Sequence, residues 1–117
     1  MTIKIIKGRI SQEELRQAAA ESFVTMVKAV VDVEKAVVAL GGELHADAEA
    51  QLLESGSNQA DLWGINIHPD QPRDGRIEYI SLINIRPSKG NKSMEVEDQV
   101  IRDKIKEIVD NLIEYVA

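Results

Sequence analysis

The segment GGELHAD carries three side chains whose types and spacing could support metal binding or acid–base chemistry. Glu43, His45 and Asp47 alternate along the chain, and alternate residues of an extended segment point to the same side. Carboxylate oxygens and imidazole nitrogens are ligands for divalent metals, and a histidine near a carboxylate can transfer protons. His68 could add to the group from a neighbouring strand. These four residues are the candidate catalytic residues, and the chemistry that they suggest is metal-assisted hydrolysis.

The same segment also fits a purely structural role. Asp47 could cap a short helix over residues 48–54 that stops at Gly56, and His45 could be a loop residue bonded to the backbone. The established metal motifs HExxH, DxDxDG and paired Cys/His do not occur in the sequence. The structural interpretation is therefore favoured, and we expect no metal and no other cofactor.

A second candidate site consists of Asn66, Asn84 and Arg86, with Trp63 nearby. Asparagine is unfavourable in strands because its amide competes for backbone hydrogen bonds. Its presence predicts either a satisfied buried network or a pocket for a polar or anionic ligand. Arg86 could offer a carboxylate or phosphate two parallel hydrogen bonds. The favoured alternative is that the asparagines hold adjacent loops and that Arg86 pairs with an acidic residue of a helix.

A third candidate is the loop Ser88–Ser93, which precedes the last predicted helix. Backbone N–H groups at a helix start can bind phosphate, and Arg86 and Lys89 would add positive charge. However, the single Gly90 does not make a Walker loop. The loop is therefore a weak signal for anion binding.

These candidates lie on or beside a predicted β-hairpin. Apolar residues alternate in the runs that begin at Asp61 and Ile77, and a loop rich in Pro, Asp and Gly separates the runs. Pairing of Ile67 with Ile77 would align their apolar faces. The second strand would extend from Ile77 to Arg86, where Pro87 ends it. The reverse face mixes apolar and polar residues, namely Gly64, Asn66, His68, Glu78, Ile80, Leu82, Asn84 and Arg86.

The other segments predict the elements that position this hairpin. Ser11 and Glu14 form a capping box, and the helix that they begin has apolar residues at helical spacing as far as Met26. The remaining predictions are a strand over 2–6, strands over 27–33 and 36–40 (or a partly helical 27–44), and a last helix over 95–115. The order β-α-β-β-α-β-β-α predicts an α+β fold: a mainly antiparallel sheet of about five strands with three helices on one side.

Composition narrows the classes of function. The 117 residues carry a formal net charge of −6, which argues against broad binding to nucleic acids or anionic membranes. The sequence has no cysteine, no apolar run that resembles a signal peptide and none of membrane-spanning length. We therefore expect one domain over residues 1–117, located in the cytoplasm, with no nucleic-acid or membrane partner.

The segments GGELHAD, LWGINIHP, INIRPSKGNKS and VEDQVIRDKI resemble an uncharacterised prokaryotic family, a domain of unknown function. The resemblance covers most of the chain, from the opening strand to the last helix. It implies a small, stand-alone prokaryotic protein with no assigned activity. Within these segments it draws attention to Glu43, His45, Asp47, Trp63, Asn66, Asn84, Arg86, Pro87 and Asn91.

The half-apolar face of the hairpin favours a non-enzymatic binding or protein-interaction module that acts as a homo-oligomer, since a small sheet can leave one face uncovered. The candidate ligand-binding residues are Trp63, Asn66, Asn84, Arg86 and Asn91. One alternative is a small metal-assisted hydrolase that uses the GGELHAD residues with His68. Another is a protein that binds an anion or phosphorylated metabolite around Arg86.

Overall fold

A computed structural model describes residues 2–116 as a five-stranded antiparallel sheet with three α-helices. The strand order is β1-β3-β2-β4-β5. The strands are β1 (Ile3–Ile6), β2 (Val27–Asp32), β3 (Val37–Gly41), β4 (Leu62–Ile67) and β5 (Ile77–Glu78), and the helices are α1 (Gln12–Ala20), α2 (His45–Glu54) and α3 (Gln99–Leu112). The predicted α+β class and order of elements are confirmed. No helix within this range is long and apolar enough to cross a bilayer.

The helices cover both faces of the sheet, so the prediction that they share one side is wrong. Val27, Ala29 and Val31 of β2 belong to the larger core, together with residues of α1 and α3. Val30, from the same strand, packs in a second core with Leu52 of α2. Consecutive apolar residues in β2 allow both faces to be buried, as in strands covered on two sides.

The β2–β3 hairpin is confirmed, and a partly helical 27–44 is wrong. The carboxylate of Asp32 accepts hydrogen bonds from the backbone N–H groups of Glu34 and Lys35, at 2.9 and 2.8 Å. This side chain organises the turn as an Asx-type motif, and Ala36 at the end of the turn adopts the left-handed conformation, with a φ of 55°, that glycine usually occupies. Ser57 donates to the same carboxylate at 2.6 Å and ties the turn to the loop after α2.

The helix starts are only partly as predicted. The capping box of Ser11 and Glu14 is present, but α1 ends at Ala20, so its apolar stripe does not continue to Met26. Leu44, not Asp47, is the residue before α2, and Asp47 lies in the first turn. The last helix starts later than predicted because the Asp98 side chain caps it by accepting from the N–H of Val100, and it ends at Leu112 rather than at residue 115.

The central hairpin has the predicted register, since Ile67 pairs with Ile77. The prediction that its second strand extends to Arg86 is wrong, because β5 ends at Glu78. Ile80 then forms a single bridge with Glu95, and a 3-10 turn follows over Leu82–Asn84. Residues 79–94, the crossing segment, therefore leave the sheet and pass over the face that α2 also covers.

Candidate functional site

A cavity of about 430 Å³ lies between the start of α2, strands β2 and β4, and the crossing segment. We call it the His45 cavity. Its wall is mostly apolar and is formed by Met26, Lys28, Leu44, His45, Ala46, Asn66, Ile80, Ser81, Leu82, Ile83 and Met94. Small-molecule sites typically have volumes of about 300–1,000 Å³ and combine an apolar lining with a few polar groups. This cavity has that size and composition.

Gly64 allows the crossing segment to approach the sheet at one side of the cavity. A Cβ atom on Gly64 would lie 2.4 Å from the Cβ of Ser81 and 2.6 Å from its Oγ. The Asn84 side chain then accepts from the Gly64 N–H at 2.8 Å and donates to the Gly64 carbonyl oxygen at 3.0 Å. It also donates to the carbonyl oxygen of Met94 at 3.0 Å. These contacts fix the roof of the cavity above β4.

His45 lies in the cavity wall with only 9% of its surface exposed. Its Nε2 is 2.8 Å from the carbonyl oxygen of Ile65, so this nitrogen must carry the proton and donate. Burial is the main cause that lowers the pKa of His45, and the positive charge of Lys28 lowers it further, while the bond to Ile65 opposes both. His45 is therefore a neutral, hydrogen-bonded residue at neutral pH.

Asn66 connects the cavity to the edge of the sheet. Its Nδ2 donates to Oε1 of Glu78 at 2.9 Å, and the same oxygen lies 3.3 Å from Nε2 of His68. The hydrogen bond from Asn66 is the main cause that lowers the pKa of Glu78. The Asn66 Oδ1 is buried and has no hydrogen-bond partner among residues 2–116.

The proposed catalytic group is not assembled. His45 is the first residue of α2, so the segment is not extended there, and the alternation that would align the three side chains is lost. Glu43 and Asp47 are exposed, whereas His45 is buried. Across residues 2–116, no three His, Cys, Asp or Glu side chains are placed to hold a metal ion. His68 pairs with Glu78 instead.

Arg86 borders a second cavity, of about 440 Å³, on the other side of the 3-10 turn. Its guanidinium stacks on the Trp63 ring at 4.8 Å from the centroid and donates to the carbonyl oxygen of Leu62. Its Nη2 is 3.6 Å from Oε2 of Glu49 in α2. The favoured expectation, that Arg86 pairs with an acidic residue of a helix, is confirmed. A ligand-binding role for Arg86 and Trp63 stays a prediction.

Asn84 and Asn91 are both buried and bonded to the main chain. The Nδ2 of Asn91 lies within hydrogen-bond distance of three carbonyl oxygens, those of Asn84, Ser93 and Glu95, at 2.7–3.1 Å. Its Oδ1 accepts from the N–H of Glu97 at 2.9 Å. These two asparagines hold the loops of the crossing segment. The structural interpretation expected this of Asn84 but made no such prediction for Asn91. Contact of either residue with a ligand stays a prediction.

The sequence interpretation missed several residues of the cavity wall, namely Met26, Lys28, Leu44 and Met94. The methionines come from two distant loops, which no local pattern connects. Lys28 had a detectable signal, because it shares parity with Val30 in β2 and so projects toward the face that α2 covers. Ile80 and Leu82 belong to the half-apolar face that was predicted either to receive a partner or to line a ligand pocket, and both line this cavity.

A family model matches most of the chain. The family model described as "Protein of unknown function (DUF5674)" matches residues 4–112. Neither the curated proteins nor the solved structures contain a match to the chain. The resemblance to a domain of unknown function is thus confirmed over most of the sequence. The chain belongs to the DUF5674 family of proteins of unknown function.

Proposed function

We propose that this protein is a non-enzymatic binding module whose ligand is a small molecule with a largely apolar body. The observation that carries the proposal is the His45 cavity, which has a volume of about 430 Å³ and an apolar wall that includes Ile80 and Leu82. Burial of an apolar ligand there would be favoured by about 25 cal/mol for each Å² removed from water.

The polar groups of the cavity support binding more than catalysis. His45 is held by the carbonyl oxygen of Ile65 at 2.8 Å. The Oγ of Ser81 accepts from the N–H of Ile83 at 3.2 Å. Among residues 2–116 no hydrogen bond joins Ser81 to His45, so the two side chains are not paired as a nucleophile and its base. A hydrolase that uses Glu43, His45, Asp47 and His68 stays a prediction without a supporting contact.

Calorimetric titration with 1-octanol tests the proposal. Ala46 lines the cavity, and Ala50 is exposed on the same helix. We expect octanol to bind saturably to the unmodified protein and to Ala50→Phe. Ala46→Phe should lose this binding. The titrations are run at two well-separated temperatures, because apolar burial can proceed with little heat at one of them. The proposal is overturned if neither 1-octanol nor octanoate, which has the same alkyl chain, gives heat at either temperature up to its solubility limit, or if the two variants bind equally well.

We also propose that the protein self-associates. Exposed apolar side chains at the mouth of the cavity support this proposal. Leu44, Leu82 and Met94 surround the opening and are 55%, 70% and 40% exposed. Exposed apolar clusters of this kind often mark interfaces. Size-exclusion chromatography with light scattering at tens of micromolar should find an oligomer, and Leu82→Ser should shift it toward monomer. A monomer at that concentration would contradict homo-oligomer formation.

We also propose a cytoplasmic location in a prokaryotic cell, supported by the lack of cysteine and by the family resemblance of the sequence. The net charge of −6 supports the absence of nucleic-acid and membrane partners. Binding of an anion or phosphorylated metabolite near Arg86 stays a separate prediction from the sequence. Glu49 faces the same cavity as Arg86 and would repel such an anion.

A further inference from the structure

We infer that the ligand of the His45 cavity is an anion, of the class of carboxylates with an apolar body, and that Lys28 is its counter-ion. This inference rests on the proposed binding function and specifies the chemistry of the ligand. The observation behind it is a lysine without an acidic partner, in a mostly apolar wall that contains no carboxylate.

Lys28 is placed in the cavity by the register of the sheet. It lies in β2 directly opposite Asn66 of β4, and Asn66 lies opposite Glu78 of β5. The three side chains therefore form a row across the face that α2 covers. Lys28 and Asn66 line the cavity, whereas Glu78 does not.

Among residues 2–116, no acidic side chain pairs with Lys28. It takes part in none of the ion pairs that these residues form. Its ammonium group lies 5.1 Å from the centre of the Phe23 ring, which is a contact that leaves its hydrogen-bond donors free. The nearest acid in the row, Glu78, is bonded to Asn66 and His68 instead.

The rest of the wall adds no opposing charge. No Asp or Glu lines the cavity, and burial keeps the pKa of His45 below its usual value, so His45 is neutral at neutral pH. Lys28 therefore gives the wall a positive charge at pH 7, although the protein as a whole has a net charge of −6. An ion pair formed beside apolar surface is stronger than one in bulk water, so an anionic head group would select this cavity.

Three probes with the same alkyl chain separate charge from apolar burial: octanoate, 1-octanol and octylammonium. Their affinities are measured for the unmodified protein, Lys28→Met and Lys28→Arg. Lys7→Met is the control, because Lys7 is exposed and outside the cavity wall. Thermal melting of each variant verifies that it is folded, and Lys28→Arg keeps the positive charge.

The expected result is that octanoate binds about ten-fold more tightly than octanol, a difference of about 1.4 kcal/mol, and that octylammonium binds most weakly. Lys28→Met should abolish this preference, while Lys28→Arg and Lys7→Met should retain it. Equal binding of octanoate and octanol would overturn the inference and leave the proposed function standing. If none of the three probes binds, both are overturned.

Discussion

Asn84 bonds to Gly64 in both directions, accepting from its N–H at 2.8 Å and donating to its carbonyl oxygen at 3.0 Å. A neighbouring strand would make the same pair of bonds through its backbone. The amide of Asn84 thus substitutes for a strand at the point where β5 has already ended. This substitution lets the crossing segment leave the sheet and roof the His45 cavity.

Replacement of Asn84 by alanine should destabilise the fold strongly. Asn84 is completely buried, and its loss would leave the N–H and carbonyl groups of Gly64 without partners. Each buried group left without a partner costs about 1–3 kcal/mol. We expect a loss of about 3 kcal/mol in the free energy of unfolding, measured in urea. Asn58→Ala, at an exposed position, is the control; equal effects of the two substitutions would contradict this role of Asn84.

A methyl group at Gly64 should displace the crossing segment. The added Cβ would lie 2.4 Å from the Cβ of Ser81, and both atoms belong to buried positions. Overpacking of this kind costs about 1–3 kcal/mol. Gly75→Ala is the matched control, because a Cβ there meets no atom within 4 Å. Thermal melting should show a lower midpoint for Gly64→Ala alone, and an unchanged midpoint would refute the close approach.

Stability should decrease as the pH falls below about 6.5, the ordinary pKa of histidine. Burial is the main cause that lowers the pKa of His45 in the folded protein, so the unfolded chain takes up the proton first. By linkage, the unfolding free energy then falls with pH until the folded pKa is passed. His45→Gln should flatten the curve between pH 7.5 and 5.5. A curve for His45→Gln that runs parallel to that of the unmodified protein would contradict this assignment.

Removal of the Arg86 side chain should lower the free energy of unfolding, because Arg86 forms a largely buried ion pair with Glu49. Arg86 and Glu49 have side chains that are only 11% and 14% exposed. Removal of one partner of a buried pair costs about 3–5 kcal/mol, since the other charge is left uncompensated. Arg86→Met should therefore lower the urea midpoint far more than Arg16→Met, which removes an exposed pair with Asp70. Fluorescence of Trp63 should change only in the first variant.

Glu49→Gln, added to Arg86→Met, should recover part of the lost stability, because the uncompensated carboxylate is then neutral. A double-mutant cycle on unfolding free energies measures this coupling. Zero coupling would show that the two side chains do not interact and that Arg86 is held by Trp63 and Leu62 alone.

Local patterns were sufficient to predict much of the fold. The Ser11 capping box, the β2–β3 hairpin and the Ile67–Ile77 register each depend on residues close in sequence. The end of β5 could not be predicted in this way. The residues after Glu78 alternate in sequence as in a strand, which would place Tyr79 and Ile83 on one face. In the structure Tyr79 packs against the larger core and Ile83 against the smaller one. Only long-range contacts distinguish this crossing segment from a strand.

The site was predicted in part. The face that carries Ile80 and Leu82 was expected either to receive a partner or to line a pocket, and both residues lie in the wall of the His45 cavity. The expected convergence of Glu43, His45 and Asp47 failed, because a helix begins at His45. Lys28 was not proposed from the sequence. Its parity with Val30 indicates the face on which it lies, but its position opposite Asn66 depends on the sheet register. The positions of these side chains in the site thus depend on contacts between residues that are distant in sequence.

Methyl NMR of the methionines is the most direct test of ligand binding in the His45 cavity. Met26 and Met94 both line the cavity and come from different segments of the chain. In protein with ¹³C-labelled methionine methyl groups, assigned by Met→Leu substitution, octanoate should shift both signals along one saturable curve. Ala46→Phe should abolish the shifts. If both signals stay unchanged at saturating octanoate and octanol, the cavity is not a binding site.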